Sequence, residues 1–295
     1  MSRVKVLSRS AVFAWSPKGA QIPSPVTDHD GSTASGWIVA GSHAVHHQQQ
    51  LQSQGQQLDS AGAPGTALEV CQVDLQLPHL QLRPSATVEG LQNKFHRLVW
   101  TSFPVGKAGL VAGGGDGGLV QVFDGQRLLQ QLQGSHQASQ VSVSETRVHS
   151  GAVLGLDASP LQPHLLASGA AASEVYIWDM NNPTRHMQAG PPQQPLDQVK
   201  GLEWSGCMAH ILGTVTGERA LVWDLRKGDG PILTLGDCLV GNTATASAQW
   251  RQMSWHPTEL TALCLCSEED AFPVVQKWDV RFANAPLLQM AGHER

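Results

Sequence analysis

The sequence predicts an all-β fold of repeated four-stranded sheets, a β-propeller, and three observations carry that expectation. The first is an aromatic-Asp pair at the end of short β-branched runs. Clean copies are Trp178-Asp179-Met180, Trp223-Asp224-Leu225 and Trp278-Asp279-Val280, and a fourth, Phe123-Asp124, replaces Trp by Phe. The second is an alternating segment upstream of each copy, closing in Trp or Leu and usually followed by Ser or His and Pro. The third is the period: Phe123, Trp178, Trp223 and Trp278 are separated by 55, 45 and 55 residues, the repeat of propeller blades with modest loop insertions. A four-stranded sheet cannot bury both faces alone, whereas several sheets packed around an axis bury one another.

Five units follow in chain order. The first, about 11–75, opens on Val12 to Pro17 (VFAWSP), continues in strands at Trp37 to Gly41 and Leu68 to Asp74, and keeps only the alternation at its end. Between those strands, residues 42–67 are rich in Gln, Ser and Gly, too polar to pack, and are expected to form a disordered loop. The second, about 95–135, runs through Leu98 to Pro104 (LVWTSFP) and Gly109 to Gly113 to Phe123 and Asp124. Its glycine cluster, Gly113 to Gly118, lacks the following helix and Lys of a phosphate loop, and Asp116-Gly117 signals a hairpin turn. A polar stretch, Gln130 to Thr146, is expected to hold one weak strand within a mobile connection. The third, about 148–182, has Leu154 to Pro160 (LGLDASP), Leu165 to Gly169 and Val175 to Met180. The fourth, about 199–235, has Leu202 to Ser205 (LEWS), His210 to Thr214 and Leu221 to Lys227. The fifth, about 250–290, has Met253 to Pro257 (MSWHP), Leu263 to Ser267 and Gln276 to Arg281. Gly292 to Arg295 reads as the start of a sixth, so residues 1–295 are expected to form one propeller domain, an incomplete seven-bladed ring.

In such a repeat each Trp sits between neighbouring sheets, where its area serves packing and its N–H one hydrogen bond. The structural repeat residues are therefore Phe123, Asp124, Trp178, Asp179, Trp223, Asp224, Trp278 and Asp279. His149 and His293 stand where a histidine joins that hydrogen-bond network.

Composition narrows the function classes. Hydrophobic residues make up 41% and charged residues 15%, with 9 Trp beside 1 Tyr, so the chain has a sizeable core and an exterior poor in charge. A net charge of -5 without a basic run disfavours nucleic acid. No stretch reaches the length of a transmembrane helix and no secretory h-region opens the chain, so a cytoplasmic protein is expected. Five scattered cysteines form no CxxC pair, which argues against a disulfide framework or zinc site. His43, His46 and His47 read as solvated loop residues, and Cys264 with Cys266 as buried packing on one strand face. No metal, cofactor or catalytic constellation emerges, and no G-x-S-x-G elbow is present, so an enzyme is not expected. Arg226 and Arg281, each two residues after a Trp-Asp pair's Asp, resemble the motif by which some WD-repeat substrate receptors dock on an adaptor of cullin-based ubiquitin ligases; the blander reading is a turn-closing arginine.

Taken in order, Ala14 to Pro17, Phe95 to Trp100, Ala167 to Ala170, Ser173 to Asn182, Val222 to Lys227, Trp255 to Pro257, Ser267 to Asp270, Pro273 to Gln276 and Trp278 to Ala283 resemble the N-terminal WD-repeat propeller of the Sec thirty-one family, the larger outer-coat subunits of COPII vesicles. The resemblance implies a structural scaffold for endoplasmic reticulum to Golgi transport that acts through protein contacts. Its implied partners are a smaller six-bladed outer-coat protein, other outer-coat propellers and, indirectly, the inner coat. The implied location is the cytosolic face of endoplasmic reticulum exit sites and coated vesicles, with peripheral membrane association and no cofactor. The chain departs from the family pattern in its Gln-rich insertion and Phe123, and it carries no match to the family's rod, partner-completing blade or Pro-rich region.

Overall fold

The computed structural model describes residues 11–17, 35–42, 66–74, 84–104, 107–130, 134–235, 249–268 and 273–291. Most of the Gln-rich insertion, its three histidines, Cys238 and His293 lie outside the described residues. The chain divides into two compact units, residues 1–116 with 121–145, and residues 117–120 with 146–295.

The first unit carries one sheet and most of a second. One joins β1 (Ala11–Trp15), β2 (Ser35–Ser42), β3 (Thr66–Asp74), β4 (Pro84–Leu91) and β8 (Gly134–Gln137) in that order, with β8 parallel to β4 and the other pairs antiparallel. The other orders β5 (Phe95–Trp100), β6 (Leu110–Gly115), β7 (Leu119–Asp124) and β9 (Ser142–Arg147). Between β7 and β9 lie two short helices, α1 (Gly125–Gln130) and α2 (Ala138–Val141). The stretch from Gln130 to Thr146 is thus more ordered than its polarity suggested. It supplies two strands and a helix, because Leu128, Leu129 and Val141 are buried and tie it down. Asp116 to Gly118 forms the expected turn, with Gly117 and Gly118 at φ 60° and 73°.

Three four-stranded antiparallel meanders make up the second unit. Sheet 3 is β10 (Gly155–Ala158), β11 (Leu165–Gly169), β12 (Val175–Asp179) and β13 (His186–Gln188). Sheet 4 is β14 (Gly201–Trp204), β15 (Ile211–Val215), β16 (Ala220–Asp224) and β17 (Pro231–Leu235). Sheet 5 is β18 (Trp250–Trp255), β19 (Ala262–Ser267), β20 (Val274–Asp279) and β21 (Leu288–Ala291). The motif Trp lies on the third strand each time and pairs with a leucine of the second: Trp178 with Leu166, Trp223 with Leu212, Trp278 with Leu263.

Alternation of side chains along each strand then splits the apolar residues between two packing layers. Leu202, Trp204, Leu212, Leu221 and Trp223 of sheet 4 pack with Ala167, Val175 and Ile177 of sheet 3. From the opposite face, Ile211, Val215 and Val222 pack with Met253, Leu265 and Trp278 of sheet 5. Trp223 and Trp278 therefore each face the sheet that precedes their own. Truncating one to alanine costs about 3–5 kcal/mol where the surroundings cannot collapse.

Cys264 departs from expectation. It and Cys266 share one face of β19, but Leu263 and Leu265 take the buried positions, leaving Cys264 exposed and Cys266 half-buried. The strand's packed face is the one that meets sheet 4, and the cysteines point the other way.

Gly118 holds a close approach. A Cβ there would lie 2.0 Å from the carbonyl oxygen of His149, and its φ of +73° disfavours any side chain. Gly118→Ala is expected to lower the unfolding free energy by about 3 kcal/mol or more, from clash and backbone strain together. Gly206→Ala, at a position with nothing within 4 Å, is expected to shift it by under about 0.5 kcal/mol. Urea unfolding of the two variants checks the contrast.

Candidate functional site

Among the described residues no cleft of catalytic groups gathers; the chemistry of the repeat lies in how sheets 3 to 5 satisfy the indole N–H of the Trp-Asp pair, although Trp250 Nε1 and Ser144 Oγ are buried without a hydrogen-bond partner. A buried indole N–H left without an acceptor costs about 1–3 kcal/mol. In sheet 3 Trp178 is fully buried and its Nε1–H donates to Ser168 Oγ at 2.7 Å. Ser168 Oγ also lies 2.7 Å from His149 Nε2, and His149 Nδ1 lies 3.2 Å from Glu174 Oε2. The arrangement that gives every proton an acceptor runs from Trp178 N–H to Ser168, from Ser168 O–H to His149 Nε2, and from His149 Nδ1–H to Glu174. Glu174 accepts the Ser150 backbone N–H as well, at 2.9 Å.

Burial pushes the His149 imidazole down to about 4, against the opposing pull of the Glu174 hydrogen bond and charge. Desolvation wins because the side chain has no exposure. A second proton would also present a donor to Ser168 Oγ, which already accepts from Trp178.

Sheets 4 and 5 meet the same demand with fewer parts. Trp223 Nε1–H donates to Thr214 Oγ1 at 2.9 Å. Ser168 and Thr214 occupy the same place, two residues beyond the cross-strand partner of the tryptophan. In sheet 5 that place is Leu265, which cannot accept. Gln276, two residues before Trp278 on the same strand, supplies Oε1 at 3.0 Å and donates its amide to Gln289 Oε1 at 2.8 Å. In the second sheet Phe123 has no N–H, and its ring meets Phe95 edge-on at 6.0 Å. The four aromatic positions are one site solved four ways.

The aspartates that follow share a different task. In each repeat a carboxylate oxygen accepts the backbone N–H two residues on: Asp124 from Gln126 (2.8 Å), Asp179 from Asn181 (3.0 Å), Asp224 from Arg226 (3.1 Å) and Asp279 from Arg281 (3.0 Å). These are Asx turns that end the third strand. Arg226 and Arg281 then fold back so that the guanidinium forks their own aspartates, with Nε to Oδ1 at 2.9 and 3.0 Å. The side-chain hydrogen bond of each arginine holds the carboxyls of Asp224 and Asp279 far below the usual range.

A further set of contacts went unread in the sequence because it joins sheets. The Trp204 backbone N–H donates to Asp157 Oδ2 at 2.9 Å, and its indole N–H donates to the Asp157 carbonyl at 3.2 Å. One sheet on, Trp255 makes the same pair to Glu203, at 3.2 Å to Oε1 and 3.1 Å to the carbonyl. Leu156-Asp157-Ala158 and Leu202-Glu203-Trp204 align, so an acid in the first strand of one sheet receives the first-strand tryptophan of the next. That aligned acid was the available signal. Among the described residues no group of three or more His, Cys, Asp or Glu is placed to hold a metal ion.

Five repeated sheets, three of them ending the third strand in a Trp-Asp pair whose Trp is buried and one in Phe123-Asp124, define the class: a WD-repeat β-propeller. The particular relatives are the Sec31 proteins, to which the chain is similar over nearly its whole length. It is 33% identical over 298 residues to the mouse protein transport protein Sec31B and 32% identical over 298 residues to human Sec31A, each match covering 99% of this chain. The chain spans only about a fifth of those relatives, 22% and 21%. No family model matches. Among solved structures, the fold is similar to a chain from an outer-coat vertex of COPII on membranes, with a TM-score of 0.72 and 23% identity over 97% of this chain and 65% of that one. It is also similar to a chain of the COPII coat assembled on membranes, again with a TM-score of 0.72, covering 36% of that chain.

Two predictions follow from the hydrogen-bond chain. Ser168→Ala orphans the Trp178 N–H and a His149 nitrogen together, so it is expected to cost about 2–4 kcal/mol. Trp178→Phe with Ser168→Ala should be less destabilising than the sum of the two single changes, as read from a double-mutant cycle in urea. The second concerns pH. His149 stays neutral in the fold down to about pH 4, while an unfolded histidine protonates near 6.5. Its contribution is therefore intact above about pH 6.5 and falls by about 1.4 kcal/mol per unit as pH drops toward 4. Urea midpoints at pH 7, 6 and 5 should decline for the parent chain and decline less for His149→Gln.

Proposed function

We propose that the chain serves as a propeller scaffold of the COPII outer coat in endoplasmic reticulum to Golgi transport, acting through protein contacts and not as an enzyme. The observation that carries this reading is the 33% identity to mouse Sec31B over 99% of the chain, with the same fold in coat chains assembled on membranes. Its partners in that role are the smaller six-bladed outer-coat protein and other outer-coat propellers, with the inner coat reached indirectly. It works at the cytosolic face of exit sites and coated vesicles without cofactors and without nucleic acid. No helix of the described residues is long and apolar enough to cross a membrane, which fits attachment through the coat.

The physical basis is rigidity. The structural residues Phe123, Asp124, His149, Trp178, Asp179, Trp223, Asp224, Trp278 and Asp279 hold each sheet to a fixed outline, and large apolar side chains remain outside it. Phe13 and Trp15 are exposed on one face of β1, as are Leu288 and Met290 on β21, the kind of surface that interfaces use. Many weak contacts of this sort combine through multivalency into a stable but reversible lattice. Against the ubiquitin-ligase reading stands the engagement of the Arg226 and Arg281 guanidinium groups by Asp224 and Asp279.

Affinity purification of the tagged chain from cells is expected to recover outer-coat components, and imaging to place it at exit sites. Arg226→Ala with Arg281→Ala should leave that recovery unchanged. Recovery of a cullin adaptor in place of coat proteins, lost in the double variant, would overturn the proposal.

A further inference from the structure

Sheet 3 departs from its neighbours at the turn after the Trp-Asp pair. In sheets 4 and 5 the residue two past the aspartate is an arginine bound back onto it. In sheet 3 it is Asn181, whose neutral Nδ2 donates to Asp179 Oδ1 at 2.8 Å. The arginine of this turn is Arg185. It is exposed, and its guanidinium makes no hydrogen bond or ion pair among the described residues.

Beside it the sheet opens a cavity of about 540 Å³ walled by Leu165, Ile177, Trp178, His186 and Met187. The His186 ring lies 5.0 Å from Trp178 and 5.4 Å from Tyr176, forming an aromatic wall. His164 and Arg185 join the lining on the polar side, and its one carboxylate, Asp179, has Oδ1 taken by Asn181. The cavity is thus apolar within, with the charges of Arg185 and Asp179 at its rim and the Arg185 guanidinium free of any hydrogen bond among the described residues.

The backbone beside it is also uncommitted. β13 ends its sheet, and all three of its residues are exposed. The Arg185 carbonyl and the Ala189 N–H bond to β12, at Asp179 and Val175. Alternation therefore turns the N–H and C=O of His186 and Gln188 outward. A free strand edge is a template for another chain.

We propose that this edge and cavity form a docking site for an extended segment of another protein in which acidic and bulky apolar residues alternate. The segment adds to β13 as a further strand. One apolar side chain enters the cavity against Trp178 and His186, and a neighbouring carboxylate meets Arg185. Charge complementarity favours an acidic segment over a basic one, because the Arg185 guanidinium is exposed and without a hydrogen bond among the described residues, whereas Asp179 is half-buried and its Oδ1 is held by Asn181.

Fluorescence anisotropy on the whole chain tests this with two labelled peptides, Asp-Leu-Asp-Phe-Asp-Leu-Asp and its counterpart with Lys for Asp. The acidic peptide should bind saturably and the basic one should not. Arg185→Glu should weaken the acidic peptide at least tenfold. Gln188→Pro, which removes only an outward N–H, should do the same with the melting temperature unchanged. In the parent chain the Trp178 indole resonance should move on titration with the acidic peptide. No saturable binding, equal binding of both peptides, unchanged affinity in both variants, or a Trp178 signal that stays still would each overturn the proposal.

Discussion

An indole buried between two sheets brings one N–H with it, and that single proton organises much of what surrounds it. The area of the ring favours burial, and the orphaned donor opposes it unless an acceptor waits at a fixed distance and angle. In sheet 3 the acceptor is a serine hydroxyl, which must in turn spend its own proton on a histidine, which must spend its own on a carboxylate. The demand travels from the third strand to the second, and on to the segment before the first and the turn before the third. One tryptophan thereby fixes four parts of a sheet that are distant in sequence.

The contacts between first strands work on the next scale up. Backbone and indole N–H groups of Trp204 and Trp255 are both received by one acidic residue of the preceding sheet, Asp157 and Glu203. Two bonds to one residue set an angle as well as a distance. Apolar layers alone, such as that of Val222, Met253 and Trp278, tolerate sliding; the paired bonds restrict it. In the proposed coat role such restriction matters, since small errors in the setting of each sheet add up over a lattice.

Much of this was legible in the sequence, and the reason is periodicity. Strand alternation and the Trp-Asp repeat are patterns of one residue type at a regular interval, so Trp178, Trp223 and Trp278 could be placed on third strands and Phe123 beside them. The acceptors were not legible, because they follow from register, not from spacing. Ser168 and Thr214 lie 10 and 9 residues before their tryptophans, whereas Gln276 lies 2 before its own. No single pattern contains all three. Cys264 shows the complementary limit: alternation put it and Cys266 on one face, but only the position of sheet 4 decides which face is buried. The polar stretch from Gln130 to Thr146, expected to hold one strand, concealed a second strand and a helix, because Leu128, Leu129 and Val141 anchor it from within and at its edge.

Sheet 5 meets the demand of its tryptophan by a different arrangement. Where sheets 3 and 4 have a hydroxyl on the neighbouring strand, it has Leu265, and Gln276 on the same strand as Trp278 accepts the indole hydrogen bond. A lineage that lost the hydroxyl first would have passed through a form with an orphaned donor in its core. One that gained the glutamine first would have held two acceptors for one donor, a surplus that is easily carried. Any exchange between the two arrangements that avoids an orphaned donor must therefore bring the amide in before the hydroxyl departs. The same asymmetry makes reversal of Gln276 in the present background harmful, although the other two sheets live without it.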